Sequence, residues 1–221
     1  DYFFITGTGV EKPGEEDEPS DALDAAGASR ETREAELRNM VQQDRAVKCL
    51  VLKDSTSKAI FGWVIPKKGH NEFTTSCVVS AVTWLGYTRV VFRSDGEPAI
   101  RAMVRDALLT LRITMEEAKA ERSSPYDSQG NGAAENAARN LRRQLRTIRS
   151  CLQDRLSVQL EPTHPLIEWM LCHSAFVLNT LRRRPDGKTP WHKVKGRAFS
   201  KDLVGFGERV LYKLPAKGPQ L

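Results

Sequence analysis

Apolar residues recur at Ala134, Ala138, Leu141, Leu145, Ile148 and Leu152, at alternating spacings of four and three. That period draws one apolar stripe down a helix of about five turns. A helix so long and so one-sided has to lay its stripe on another apolar layer, so the fold must supply one of matching length. One residue further on, Glu135, Arg139, Arg142, Arg146 and Arg149 repeat the same spacing and line the adjoining face. A core face therefore runs beside a basic face, and the basic face is headed by one carboxylate. A glycine-rich turn, Gly130-Asn131-Gly132, precedes that carboxylate, and no further acid follows until Asp154.

Strand signals lie upstream of this helix. Asp1 to Thr6 has the aromatic and β-branched content of a strand and starts at the first residue, as a piece of a longer chain would. Val47–Lys53 and Ala59–Ile65 are apolar, β-branched runs separated by Asp54-Ser55-Thr56-Ser57-Lys58, which is the turn chemistry of a hairpin. From Phe73, the residues Phe73, Cys77, Val78, Ala81, Val82 and Leu85 follow helical spacing, and Thr88–Phe92 then reads as a short buried strand. Pro98 opens a further helix carrying Ile100, Met103, Val104, Ala107, Leu108 and Leu111, which puts Asp95 between strand and helix. Ile113–Glu116 is a weaker strand. His164–Leu181 is another helix, with Leu166, Ile167, Met170, Phe176 and Val177 for burial, and strand character returns at Glu208–Leu214. Trp63, Trp84 and Trp169 read as core, and His173 as a satisfied histidine on a core helix. Strands interleaved with helices make the class α/β.

Charge is uneven. The formal net charge is +6, but residues 11–40 carry ten acids and four bases, net −6, leaving +12 on the remainder. Gly7 to about Ser29 has little to bury and reads as a disordered acidic loop, and its continuation SRETREAELRNM can wind a short helix capped by Ser29. A body that basic points to a polyanionic partner. No stretch approaches the roughly eighteen apolar residues of a membrane span, and no signal peptide is visible, so the expectation is a soluble intracellular chain. Cys49, Cys77, Cys151 and Cys172 stand singly, as do the histidines, which argues against a disulfide frame or a zinc site.

Three acids close predicted elements: Asp1 on a strand, Asp95 after the central strand, and Glu135 at a helix start. Gathered carboxylates bind hard divalent cations such as Mg2+. Two ions about 3.5–4 Å apart clamp the attacking and leaving oxygens of a phosphoryl transfer. A single acid is more often a surface cap. Asp54 rivals Asp1 for the first position, but Asp-x-Ser followed by a base suits a turn between strands, so Asp1 is preferred.

Ser124-Pro125-Tyr126-Asp127-Ser128-Gln129-Gly130-Asn131-Gly132-Ala133-Ala134-Glu135 resembles the segment around the catalytic glutamate of retroviral and LTR-retrotransposon integrases. Arg93-Ser94-Asp95-Gly96-Glu97 resembles their second motif. Gly187-Lys188-Thr189-Pro190-Trp191 resembles the Thr-Pro-aromatic signature after the last core helix, particularly in the copia type. The resemblance implies an RNase H-like fold, a mixed central sheet flanked by helices, with the disordered acidic insertion after the first strand. It divides the chain into a catalytic core at 1–191, with the insertion at 7–45, and a linker plus the start of a truncated C-terminal region at 192–221. The Asp95–Glu135 interval of 39 residues is slightly longer than the retroviral pattern.

By the same resemblance, Asp1, Asp95 and Glu135 form a DDE triad holding two Mg2+ or Mn2+ ions, and the chain is a polynucleotidyl transferase. It trims and joins retrotransposon DNA ends. Arg139 and Arg142 match positions that hold the element's DNA end. Gln129, Asn131 and Tyr126 match the amides and the aromatic of the active-site loop. The implied partners are element and target DNA and further copies of the chain, with no membrane and no small-molecule cofactor, acting in the nucleus. Two readings compete: a catalytically degenerate DNA-binding relic, and another RNase H-like transposase or nuclease. Arg143, Arg146 and Arg149 are more readily explained as helix formers on a solvated face. Arg182-Arg183-Arg184 is a candidate nuclear-import or DNA-backbone patch.

Overall fold

The computed structural model describes residues 2–6, 10–11, 30–43, 45–94, 97–122 and 128–211. The order is β1 (Tyr2–Thr6), β2 (Val10–Glu11), α1 (Arg30–Gln42), β3 (Ala46–Lys53), β4 (Ile60–Ile65), α2 (Glu72–Leu85), β5 (Arg89–Ser94), α3 (Pro98–Leu111), β6 (Glu117–Arg122), α4 (Ser128–Leu156), α5 (Leu166–Thr180) and α6 (Pro190–Lys195). Among the described residues the strands form two ladders. One is antiparallel, in the order β2-β1-β3-β4, and the other pairs β5 with β6 in parallel.

The first ladder is a two-sided wall. Alternate residues of β1 and β3 point to opposite faces: Phe3, Ile5, Cys49 and Val51 pack under α4 and α5, whereas Tyr2 and Leu50 pack under α2 and α3. Leu141 and Leu145 are fully buried on the α4 stripe, so the periodicity in the sequence is the layer contact itself. Gly62 of β4 makes that contact close, because a Cβ there would lie 2.4 Å from Leu141 Cδ2. The hairpin turn is as expected. Asp54 Oδ2 accepts from Ser57 N at 2.6 Å, Ser57 Oγ at 2.5 Å and Tyr87 OH at 2.8 Å.

Helices α2 and α3 end where their sequences direct. Asn71 caps α2 by accepting from Thr74 N at 3.2 Å, and Gly86 closes it in the left-handed region at φ 73°. Pro98 opens α3. The last core helix, α5, is tied to the edge strand by Asn179. Its side chain accepts from Ile60 N at 2.9 Å and donates to Ile60 O at 2.8 Å.

Three strand expectations and one tryptophan differ. The strand expected at 113–116 lies instead at Glu117–Arg122, where Arg89 faces Glu117 and Arg93 faces Glu121, so cross-strand ion pairs replace the apolar signal. Its partner β5 was expected to be buried but alternates between exposed and half-buried, with Val91 54% exposed. Trp169 is 70% exposed, because α5 buries the Ile167–Met170–Leu171 side of its turn. Of the strand expected at 208–214, residues 208–211 form none and 212–214 lie outside the described residues; Arg155 Nη2 holds the chain just before them, donating to Phe206 O at 2.6 Å.

Candidate active site

Glu135 stands on α4, exposed, seven residues beyond the start of that helix. The glycine-rich stretch expected to be a turn lies within α4, as do Gln129 and Asn131, so the helix starts earlier than the glycines imply. Asp1, Asp95 and Tyr126 lie outside the described residues. Among the described residues no group of three or more His, Cys, Asp or Glu gathers.

The chain neighbours of the three acids are nevertheless described, and they are brought to one end of the antiparallel sheet. Tyr2 opens β1 and pairs with Leu50 of β3. Because β3 runs antiparallel, Lys53 lies about 10 Å further along, past the start of β1. There Lys53 Nζ donates to Ala133 O at 3.0 Å, which fixes the N-terminal part of α4, two residues short of Glu135, over that end. Burial, then Arg184, Lys58 and Arg182, lower the Lys53 ammonium below its ordinary value.

A second tie comes from Lys68, in the connection between β4 and α2. Its ammonium lies 4.9 Å from the Tyr2 ring centroid and 3.0 Å from Glu97 Oε1. Glu97 follows β5 by three residues and precedes α3. One lysine therefore joins the residue after Asp1 to the residue two beyond Asp95. Nothing in the sequence pattern singled out Lys68 or Lys53. The only signal was a base at each strand end, which surface lysines give everywhere.

The basic face of α4 is divided. Arg139 and Arg143 are exposed, and Arg146 is half-buried. Arg142, expected on the solvent side, is 2% exposed, and its guanidinium is pushed down to about 10 by burial and then by Arg146 and Arg143. Arg149 is also buried. It donates to Thr6 O at 3.1 Å, Leu160 O at 2.6 Å and Gln153 Oε1 at 3.0 Å, so it anchors α4 to the end of β1. The flank bearing Arg142 and Arg149 thus faces the sheet. Asp54 is engaged by its own turn and by Tyr87, which accounts for it without a metal.

The Thr189-Pro190-Trp191 motif opens α6. Thr189 Oγ1 accepts from His192 N at 3.1 Å, and Trp191 meets Trp84, Phe176 and Phe199 at ring-centroid distances of 5.9, 6.5 and 5.2 Å. The motif docks the chain after α5 against the α2 and α5 side of the core. Trp63 and Trp84 are half-buried at that aromatic junction.

No protein-family model matches the sequence, and no curated protein does. Solved structures do. The catalytic core domain of BIV integrase is 21% identical, over 68% of this chain and 86% of that one, with a TM-score of 0.49. A chain in the simian T-cell lymphotropic virus intasome in complex with PP2A regulatory subunit B56 gamma is 15% identical, over 76% of this chain and 55% of that one, with a TM-score of 0.53. At such identities the likeness is one of fold. The class is mixed α/β with helices on both faces of the sheet. Within that class, the fold is RNase H-like.

Proposed function

We propose that the chain is the catalytic core of a metal-dependent DNA strand transferase of the integrase kind, with Asp1, Asp95 and Glu135 as the triad. The observation that carries the reading is the pair of lysine ties. Lys68 joins the neighbours of the first two acids, and Lys53 brings the neighbour of the third to the same end of β1. The fold and the motif resemblance support it.

Three carboxylates are hard oxygen donors, and their chemistry suits two Mg2+ or Mn2+ ions, which when bound activate the attacking oxygen and neutralise charge on the phosphate. What the chain itself contributes is position. The apolar stripe of α4 and the Arg149 anchor hold the helix that carries Glu135. Arg139, one turn further on and exposed, offers a fork of donors to a phosphate beside it. Arg142 is buried, so on this reading its part is to support the helix and not to meet DNA from solvent. The chain would act on element and target DNA as an oligomer, in the nucleus, and retrotransposon origin is part of the same proposal. Residues 192–221 would then lead from the core at 1–191 into a further region.

The test is a Mn2+-supported disintegration reaction on branched DNA, comparing the parent chain with Glu135→Gln. Joined products from the parent and none from a folded Glu135→Gln are expected. Hydrolysis without joining would favour a nuclease, and silence from both folded proteins would favour a DNA-binding relic.

A further inference from the structure

Cations outside the proposed triad gather at one place. Lys53 ends β3, Lys58 sits in the hairpin turn, and Arg182, Arg183 and Arg184 follow α5. Arg184 Nη2 donates to Lys58 O at 2.9 Å. Gly187 N–H donates to Arg184 O at 2.8 Å and Arg184 N–H to Lys188 O at 2.9 Å, folding that segment back on itself. Segments far apart in sequence are thereby fixed against one another. Burial and like charge both act on Lys53, whose ammonium is lowered by desolvation and then by Arg184, Lys58 and Arg182. The neighbouring acids are engaged elsewhere: Asp186 binds Lys193 at 2.7 Å and accepts from Lys188 N at 3.1 Å, and Asp54 serves its own turn.

From Arg182 an open groove of about 390 Å³ runs between α4 and α5. Arg143 lies across it from Arg182. Asn140, Gln144 and Thr147 add neutral polar groups, over a floor that includes Val177 and Leu181. This groove lies on the α5 flank of α4, opposite the flank that Arg149 fastens to β1.

We infer that the Lys58–Arg182–Arg183 cluster and the α4–α5 groove ending at Arg143 form a track for the phosphodiester backbone of DNA. The proposed function enters only in naming DNA as the polyanion. The features favour a phosphate polymer over an acidic protein. Most of the cations are arginines, whose forked donors match phosphate oxygens, and they are joined by amides and a hydroxyl of the kind that make backbone contacts. The groove between the two helices is open to solvent, so a phosphate chain can reach its polar lining.

The test is anisotropy of labelled single- and double-stranded DNA across a salt series, without divalent metal and in the Glu135→Gln background. Catalysis then plays no part in the readout. Lys58→Gln, Arg143→Gln, Arg182→Gln and Arg183→Gln, singly and together, change exposed side chains, and thermal melts verify folding. Each lost phosphate contact should flatten the slope of log K against log salt by about 0.9 for duplex and about 0.7 for single strands, and the fourfold variant should bind at least about tenfold more weakly at low salt. An unchanged slope in the folded fourfold variant overturns the inference. So does displacement of DNA by poly-glutamate that depends equally on these four residues, because that outcome assigns the track to an acidic protein. A chain that never joins DNA yet shows the slope change would sink the proposed function and leave the track standing.

Discussion

Replacing Arg149 by Met separates an anchor from a DNA contact. The buried guanidinium satisfies Thr6 O and Leu160 O and also reaches Gln153. Methionine fills much of the same volume but donates nothing, so two carbonyls in a buried setting lose their donor. At about 1.5 kcal/mol for each of the two hydrogen bonds lost from a charged donor, the loss is about 3 kcal/mol. For a chain of this length each kcal/mol moves Tm by about 2–4 °C, so Arg149→Met should melt about 6–12 °C below the parent. Arg149→Lys keeps the charge and one reachable donor, and should recover part of the loss. Urea melts give the free energy directly, and the salt slope of DNA binding should not change, because Arg149 does not reach solvent as a phosphate ligand would. A stability change under about 0.5 kcal/mol, or a slope that flattens by about 0.9, would refute the reasoning.

Gly62→Ala places a Cβ 2.4 Å from Leu141 Cδ2. Leu141 can yield in part, so the cost should be about 1–3 kcal/mol in a urea melt, and Gly62→Val should cost more. Asn179→Ala leaves Ile60 N–H and C=O without partners and should cost about 2–4 kcal/mol, measured the same way. Lys68→Met should lower Mn2+ affinity by calorimetry more than it lowers Tm, with Lys68→Arg restoring much of it; equal affinity would break the link between the tie and the acids. Burial holds the His173 imidazole below its ordinary 6.5, so the folded protein disfavours the proton that the unfolded chain accepts. Stability contributed by neutral His173 is therefore present above about pH 6.5 and is lost as pH falls from there through the lower folded value. His173→Gln should flatten that fall in melts taken from neutral to mildly acidic pH.

Periodicity made the layers legible. The stripe from Ala134 to Leu152 and the β3–β4 hairpin were visible because each rests on a simple period and a local turn, and both appear as read. β6 was misplaced because Glu117-Ala118-Lys119-Ala120-Glu121-Arg122 carries no apolar run, and its pairing depends on charges contributed by β5. Trp169 and Arg142 failed in opposite directions for one reason. Spacing along a helix gives angular position, but the boundary between core and solvent depends on what packs beside the helix. Position in the stripe placed Arg142 on the basic face, yet that flank of α4 turns toward the sheet. Of the candidate site, motif spelling reached Glu135 and the motif positions around it, whereas Lys53 and Lys68 act through contacts between residues 80 and 29 positions apart. No local pattern encodes such contacts.

The arginines of α4 serve two demands that one surface cannot meet. The helix that carries Glu135 is long, and about 21 Å of it separate Glu135 from Arg149. Fixing the far end to Thr6 O and Leu160 O while Lys53 holds the near end at Ala133 O clamps both ends to the same sheet. Those contacts draw cations inward and remove Arg142 and Arg149 from solvent. Arg139 and Arg143, on the outer faces, stay exposed. Exchanging the two classes should therefore not be symmetric. Replacing Arg143 should change affinity and salt dependence at constant Tm, whereas replacing Arg149 should change Tm at constant salt dependence.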